Sequence, residues 1–299
     1  MFNFLFFLTL GQGMQTTVDP YMLTINSNER ISISINNAYN SHNGNRITLE
    51  EIARMADGKR FVAIGEQHDN FDSHRWQNLI INALIERGRR VIVGFEMYQR
   101  HKQHYLNLWT LGKLTEEEFL EKSDWSGQWG FDFGLYRPIF ETVQKNTLRA
   151  VALNVPRDWV RTASREGYDA LPEEAKQQLP EMDLTNQNHY EVFRALMGGH
   201  PGDAMLENVY RGQVLWDEAM ADSAIKYLDR TIVDERTVFV IIAGNGHVMY
   251  KQGIDYRIHK RTGMDCLTVV TIPIEGKSGK RRVSAGLGDI IIGVRPNEK

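Results

Sequence analysis

The chain has 299 residues, 42% of them hydrophobic and 24% charged, with a formal net charge of -3. That balance excludes an intrinsically disordered chain, and it gives no overall electrostatic drive toward nucleic acid or an anionic membrane. The single cysteine, Cys266, excludes an internal disulfide; its apolar setting, CLTVV, reads as buried strand rather than reactive thiol.

The chain opens with MFNFLFFLTLGQG, whose apolar run from Phe4 to Leu10 resembles the core of a signal peptide but has no Lys or Arg before it. A bilayer span needs about 20 apolar residues, more than this run holds. No cysteine follows, which argues against a lipoprotein signal. An atypical export signal, the remnant of a longer leader and an ordinary hydrophobic terminus all stay open. Residues 1–46 read as a polar lead-in, with one alternating stretch, RISISI from Arg30 to Ile35, able to form an edge strand. The main domain, residues 47–299, opens at Thr48 and Glu51, which have capping-box spacing ahead of a short helix.

Apolar, β-branched runs then recur at Phe61 to Ile64, Val91 to Phe95, Ala150 to Leu153, Val238 to Ala243 and Leu267 to Ile274. Between the first two, Trp76, Leu79, Ile80, Ala83 and Leu84 follow helical spacing and stop at Gly88. Residues 155–235 read as a helical insertion, broken at Leu171 to Pro180 and at Gly198 to Gly202. A basic turn carrying Lys277, Lys280, Arg281 and Arg282 then feeds a last strand from Ile290 to Val294. Strands without alternation, separated by helices, predict an α/β fold: a mainly parallel central sheet with helices on both faces.

Four of these strands run straight into polar groups. Ile64 leads to Glu66 and His68, Phe95 to Glu96, Leu153 to Asn154 and Arg157, and Ala243 to Asn245 and His247. Ligands of open parallel sheets bind beyond the carboxyl ends of the strands, so the four clusters should share one edge, with Glu66, His68, Glu96 and His247 within about 10 Å of one another. Each taken alone has a plainer explanation as a helix cap, a surface histidine or a tight turn. Burying them all together without a use would cost several kcal/mol of desolvation. Asp217 and Glu218 could reach the rim, although a structural salt bridge is the simpler role. Gly244, Asn245 and Gly246 lack the third glycine of a dinucleotide fingerprint.

The strings VAIGEQHDN, GFEMYQRHKQ, WGFDFGLYRPIFE, VALNVPR, QVLWDEAMA and VIIAGNGHV, in that order, resemble the ChaN-like haem-binding uptake family. They cover about Phe61 to Ile274. The wider group also contains erythromycin esterases and Tiki proteases. The resemblance implies noncovalent haem binding in iron acquisition, a location at the bacterial periplasm or membrane, a homodimer sandwiching haem, and an envelope haem-uptake receptor as partner. The amino terminus departs from the exported or lipidated starts usual there.

Haem needs an apolar slot, an axial ligand and cations for its propionates. Trp125, Trp129, Phe131, Phe133 and Tyr136 supply aromatics, and a helix after Glu96 would set Tyr98, His101 and Tyr105 along one face, beside Arg100 and Lys102. The tyrosines rank above the histidine as iron ligands. No C-x-x-C-H motif is present, so covalent haem is excluded. The rival reading is a hydrolase: Glu66, His68, Glu96 and His247 have the mixed donors that suit Zn or Mn, or His68 or His247 could act as a metal-free general base.

Overall fold

A computed structural model describes residues 18–199 and 204–297. The run from Phe4 to Leu10 lies outside them, as does the Gly198 to Gly202 break from His200 onward. Three short strands come first: β1 (Arg30–Ser34), β2 (Asn37–Asn40) and β3 (Arg46–Ile47). Helix α1 (Leu49–Met55) starts at Thr48 with both halves of the capping box formed. Then follow β4 (Phe61–Glu66), α2 (Phe71–Glu86) and β5 (Arg90–Gln99). The chain continues through α3 (Gln103–Thr110), α4 (Glu116–Ser123), α5 (Trp125–Gln128), α6 (Phe133–Lys145) and β6 (Arg149–Asn154). Helices α7 (Arg157–Glu166), α8 (Glu173–Gln178), α9 (Gln187–Met197) and α10 (Ala204–Asp229) lead to β7 (Thr237–Gly244). The last elements are α11 (Ile254–Thr262), β8 (Cys266–Pro273), β9 (Lys280–Ser284) and β10 (Ile290–Val294).

Six strands form one parallel sheet in the order β10, β8, β4, β7, β5, β6. Strands β4 and β7 are buried along their whole length, which is why they read as continuous apolar runs. Val62 and Ile64 face a core shared with α1, α2 and α6, whereas Phe61 and Ala63 face one shared with α10 and α11. The helical stretch of residues 155–235 thus supplies much of one covering layer, since Met220, Ala221, Ala224 and Leu228 of α10 pack on the sheet. The expected basic turn is partly strand: Lys280–Ser284 pairs antiparallel with RISIS of β1. No single segment could reveal that pairing, because each strand is extended by the other.

Gly94, in the middle of β5, leaves room for side chains of the two strands that flank it, β7 and β6. A Cβ there would lie 2.5 Å from Phe239 and 2.9 Å from Leu153. Gly94→Ala should therefore destabilise the fold by about 1–3 kcal/mol through overpacking. Urea unfolding checks this: the midpoint should fall while the slope stays constant.

Candidate functional site

The parallel order sets the carboxyl ends of β4, β7 and β5 side by side, with Glu66 in register with Gly244 and Phe95 with Ile242. Glu66 is the last residue of β4 and is buried. Its Oε1 accepts from the Tyr136 hydroxyl at 2.7 Å and lies 2.9 Å from His68 Nδ1. Its Oε2 accepts from Gln77 Nε2 at 2.7 Å and lies 3.3 Å from His74 Nδ1. Burial alone would push this carboxyl up, but the charges and hydrogen bonds of His74 and His68 more than offset that and hold it well below the usual range. Burial likewise works to lower His68, yet its bond to Glu66 and the charges of Glu96 and Glu66 leave it raised.

His68 is the accessible member, with 33% of its side chain exposed. Trp129 and Phe131 flank its ring at 4.7 and 5.3 Å between centroids. A Cβ on Gly244 would lie 2.7 Å from His68 Cε1, 3.0 Å from its Nε2 and 3.7 Å from Glu96 Oε2. Only glycine lets the imidazole come this close, and the same distances set the two carboxylate and imidazole pairs side by side across Gly244.

The second pair is deeper. Glu96 Oε1 lies 3.3 Å from His247 Nε2, and its Oε2 accepts the Gly244 N–H at 2.6 Å. His247 Nδ1 lies 2.6 Å from Asp217 Oδ1, and Asp217 Oδ2 is 3.0 Å from His189 Nε2. Desolvation opposes a charge on His247, but Glu96 and Asp217 prevail and it is pushed up to about 10. Asp217 is held low, burial notwithstanding, by His247 and Arg257. The structure thus separates the two acids on α10: Glu218 forms structural ion pairs with Arg257 and Arg261, whereas Asp217 completes the His247 site.

Asn154 and Arg157 join neither pair. Asn154 donates to the Glu96 carbonyl at 3.1 Å and so steadies the end of β5. Arg157, exposed at the start of α7, donates to the carbonyls of Gly127 and Gln128 and ties down the turn that carries Trp129. Sequence reasoning did not single out His74 or Gln77, and it counted Tyr136 only among the aromatics. The available signal was polarity on α2 beside its apolar stripe, where Ser73, His74 and Gln77 are all buried.

The helix expected after Glu96 does not start there. Strand β5 runs on to Gln99, so Tyr98 points into the core among Phe119, Trp125 and Phe140. Its hydroxyl meets Ser123 Oγ at 3.2 Å and burial pushes its phenol up, so it is out of reach of an external iron. His101 is exposed and Tyr105 half-buried, with the Lys102 ammonium 5.7 Å from the Tyr105 ring centre. Arg100 is committed to Asp222 at 3.0 Å. Trp125 and Phe133 are buried core and Tyr136 is buried with its hydroxyl on Glu66, which leaves Trp129 and Phe131 as the partly exposed aromatics of the site.

The metal expectation for Glu66, His68, Glu96 and His247 finds no support, since no group of three or more His, Cys, Asp or Glu among the described residues is disposed to hold an ion. The donors are spent on one another: both nitrogens of His247 and both oxygens of Glu66 face protein partners.

His247 sets a pH dependence. Its folded value lies above its ordinary 6.5, so its contribution to stability is complete below that pH and is lost as pH rises through about 10. Wild-type stability should decline over this window in chemical denaturation, and His247→Gln should flatten the decline. Asp217→Asn should cost about 3 kcal/mol by leaving the buried His247 imidazolium with Glu96 as its one remaining carboxylate partner.

A profile described as haem-binding uptake, Tiki superfamily, ChaN matches residues 52–258. The structure is similar to that of ChaN of Campylobacter jejuni, described as binding haem cofacially, with TM-score 0.63 and 17% identity over 87% of this chain and 98% of that one. It is also similar to the erythromycin esterase EreC, with TM-score 0.46 and 11% identity over 80% and 76% of the two chains. No curated protein sequence matches significantly. With more than half of its length matched by that profile, the chain belongs to the ChaN haem-binding uptake family of the Tiki superfamily.

Proposed function

We propose that this protein binds haem noncovalently and serves haem and iron uptake at the bacterial envelope, in the periplasm or against a membrane, with an envelope receptor as haem partner. The observation that carries the reading is the family match over residues 52–258. The surface after β5 fits the group: the Tyr105 hydroxyl makes no hydrogen bond among the described residues, and Lys102 is placed to meet a propionate. His101 is lowered by burial and by Lys102, which keeps its imidazole neutral and able to donate. Tyr105 ranks first as iron ligand because a phenolate oxygen suits ferric haem. His68 ranks below both, since its neighbours favour the protonated ring. A flat apolar plate has two faces to cover, so a second copy, or a second haem stacked on the first, completes the site.

Haemin titration should give saturable binding with a high-spin spectrum and a phenolate charge-transfer band, together with dimer formation in sedimentation. Tyr105→Phe should remove the band, and His68→Ala should leave it. Loss of the band in His68→Ala or His247→Ala but not in Tyr105→Phe would move the ligand to the strand ends. Absence of saturable binding at micromolar haemin would sink the haem reading.

A second reading is favoured by His68, whose Nδ1 is anchored on Glu66 while its Nε2 has no hydrogen-bond partner among the described residues. Such an imidazole can exchange a proton with a substrate, as hydrolysis of an ester or peptide requires. If this holds, turnover on a broad ester and peptide panel should fall at least about a hundredfold in His68→Ala. A wild-type protein inactive across that panel would remove the reading.

A further inference from the structure

The opposite edge of the sheet has a different chemistry. The loops feeding β4, β5, β6 and β7, residues 57–60, 87–90, 145–149 and 229–236, carry nine Lys and Arg against four Asp and Glu, in a chain whose net charge is -3. Because these strands are parallel and adjacent, all four loops meet at one edge. Between the last three lies a cavity of about 520 Å³ lined by Arg89, Arg90, Arg149 and Arg236, with Leu148 and Ile232 as apolar members.

The guanidinium groups there are poorly compensated. Arg90 and Arg236 share one carboxylate oxygen, Asp234 Oδ2, at 3.3 and 3.2 Å. Arg89 has 7% of its side chain exposed and is held by the carbonyls of Ala56, Lys59 and Arg236; Asp57, its nearest acid at 3.9 Å, is engaged by Arg87. Arg149 is exposed, and its guanidinium has no hydrogen bond or ion pair among the described residues. Beside them Ile232 is 93% exposed. Clustered arginines that share one carboxylate favour an anion, and arginine forks match phosphate oxygens. A fully exposed isoleucine at the rim suits a partner with an apolar layer behind its anionic heads.

We propose that this edge docks the protein on anionic phospholipid, with a lipid phosphate seated in the arginine cavity and Ile232 entering the interface. The strand-end site and the haem surface then stay clear of the membrane, and the inference stands without the haem reading.

Sedimentation of the full chain with phosphatidylcholine vesicles, with and without phosphatidylglycerol, tests it. Binding should require phosphatidylglycerol and weaken as salt is raised. It should drop about fivefold for each of Arg149→Gln and Arg236→Gln. Circular dichroism of the variants should match wild type, and Arg282→Gln, on β9 away from the cavity, should bind as wild type does. Equal binding to neutral vesicles, or full binding by Arg149→Gln, would overturn the proposal. So would binding of inorganic phosphate or of a DNA duplex in the absence of vesicle binding.

Discussion

Three carboxylates, Glu66 at the end of β4, Glu96 near the end of β5 and Asp217 from the middle of α10, are buried, and the structure around them follows from keeping them charged. A buried carboxylate loses several kcal/mol of hydration unless cations and hydrogen-bond donors replace the water. Here imidazoles supply most of the replacement. His68 and His74 serve Glu66, His247 bridges Glu96 and Asp217, and His189 closes the far end. Neutral donors complete the coordination: Tyr136 and Gln77 on Glu66, and the Gly244 N–H on Glu96.

That demand shapes the backbone. Gly244 is small because His68 lies against it, and Gly65 because a Cβ would sit 2.3 Å from Asn245 Oδ1. Elements that never touch the charged groups still fix their positions. Asn154 holds the end of β5, and Arg157 secures the turn whose Trp129 and Phe131 wall His68. Within this tightly paired cluster only His68 combines exposure with a free ring nitrogen.

The parallel sheet also divides the protein into two edges. At the carboxyl ends charges are buried and paired; at the amino ends arginines are exposed and share few acids. The modest net charge averages the two and describes neither. The aromatic cluster between α4, α6 and β5 belongs to the fold, since Phe140 stacks on Phe95 at 4.6 Å and Trp125 packs edge-on to Tyr136.

The α/β class, the parallel strands and the edge that carries Glu66, His68, Glu96 and His247 are legible in the chain. Those features depend on local periodicity and on the rule that strands joined by helical crossovers run parallel, with their carboxyl ends at one edge, both written along the chain. Ordered family motifs located haem as the ligand class. The fate of Tyr98 depended on tertiary packing, because β5 gains four more buried residues, Glu96 to Gln99, before the chain turns and so changes which side chains face outward. The pairing of β1 with β9, the arrival of Asp217 from α10 and of His74 from α2, and the loss of free metal donors to mutual hydrogen bonds share that cause. Each joins residues distant in sequence or on separate elements, and desolvation energy, which local sequence does not encode, selects the pairs.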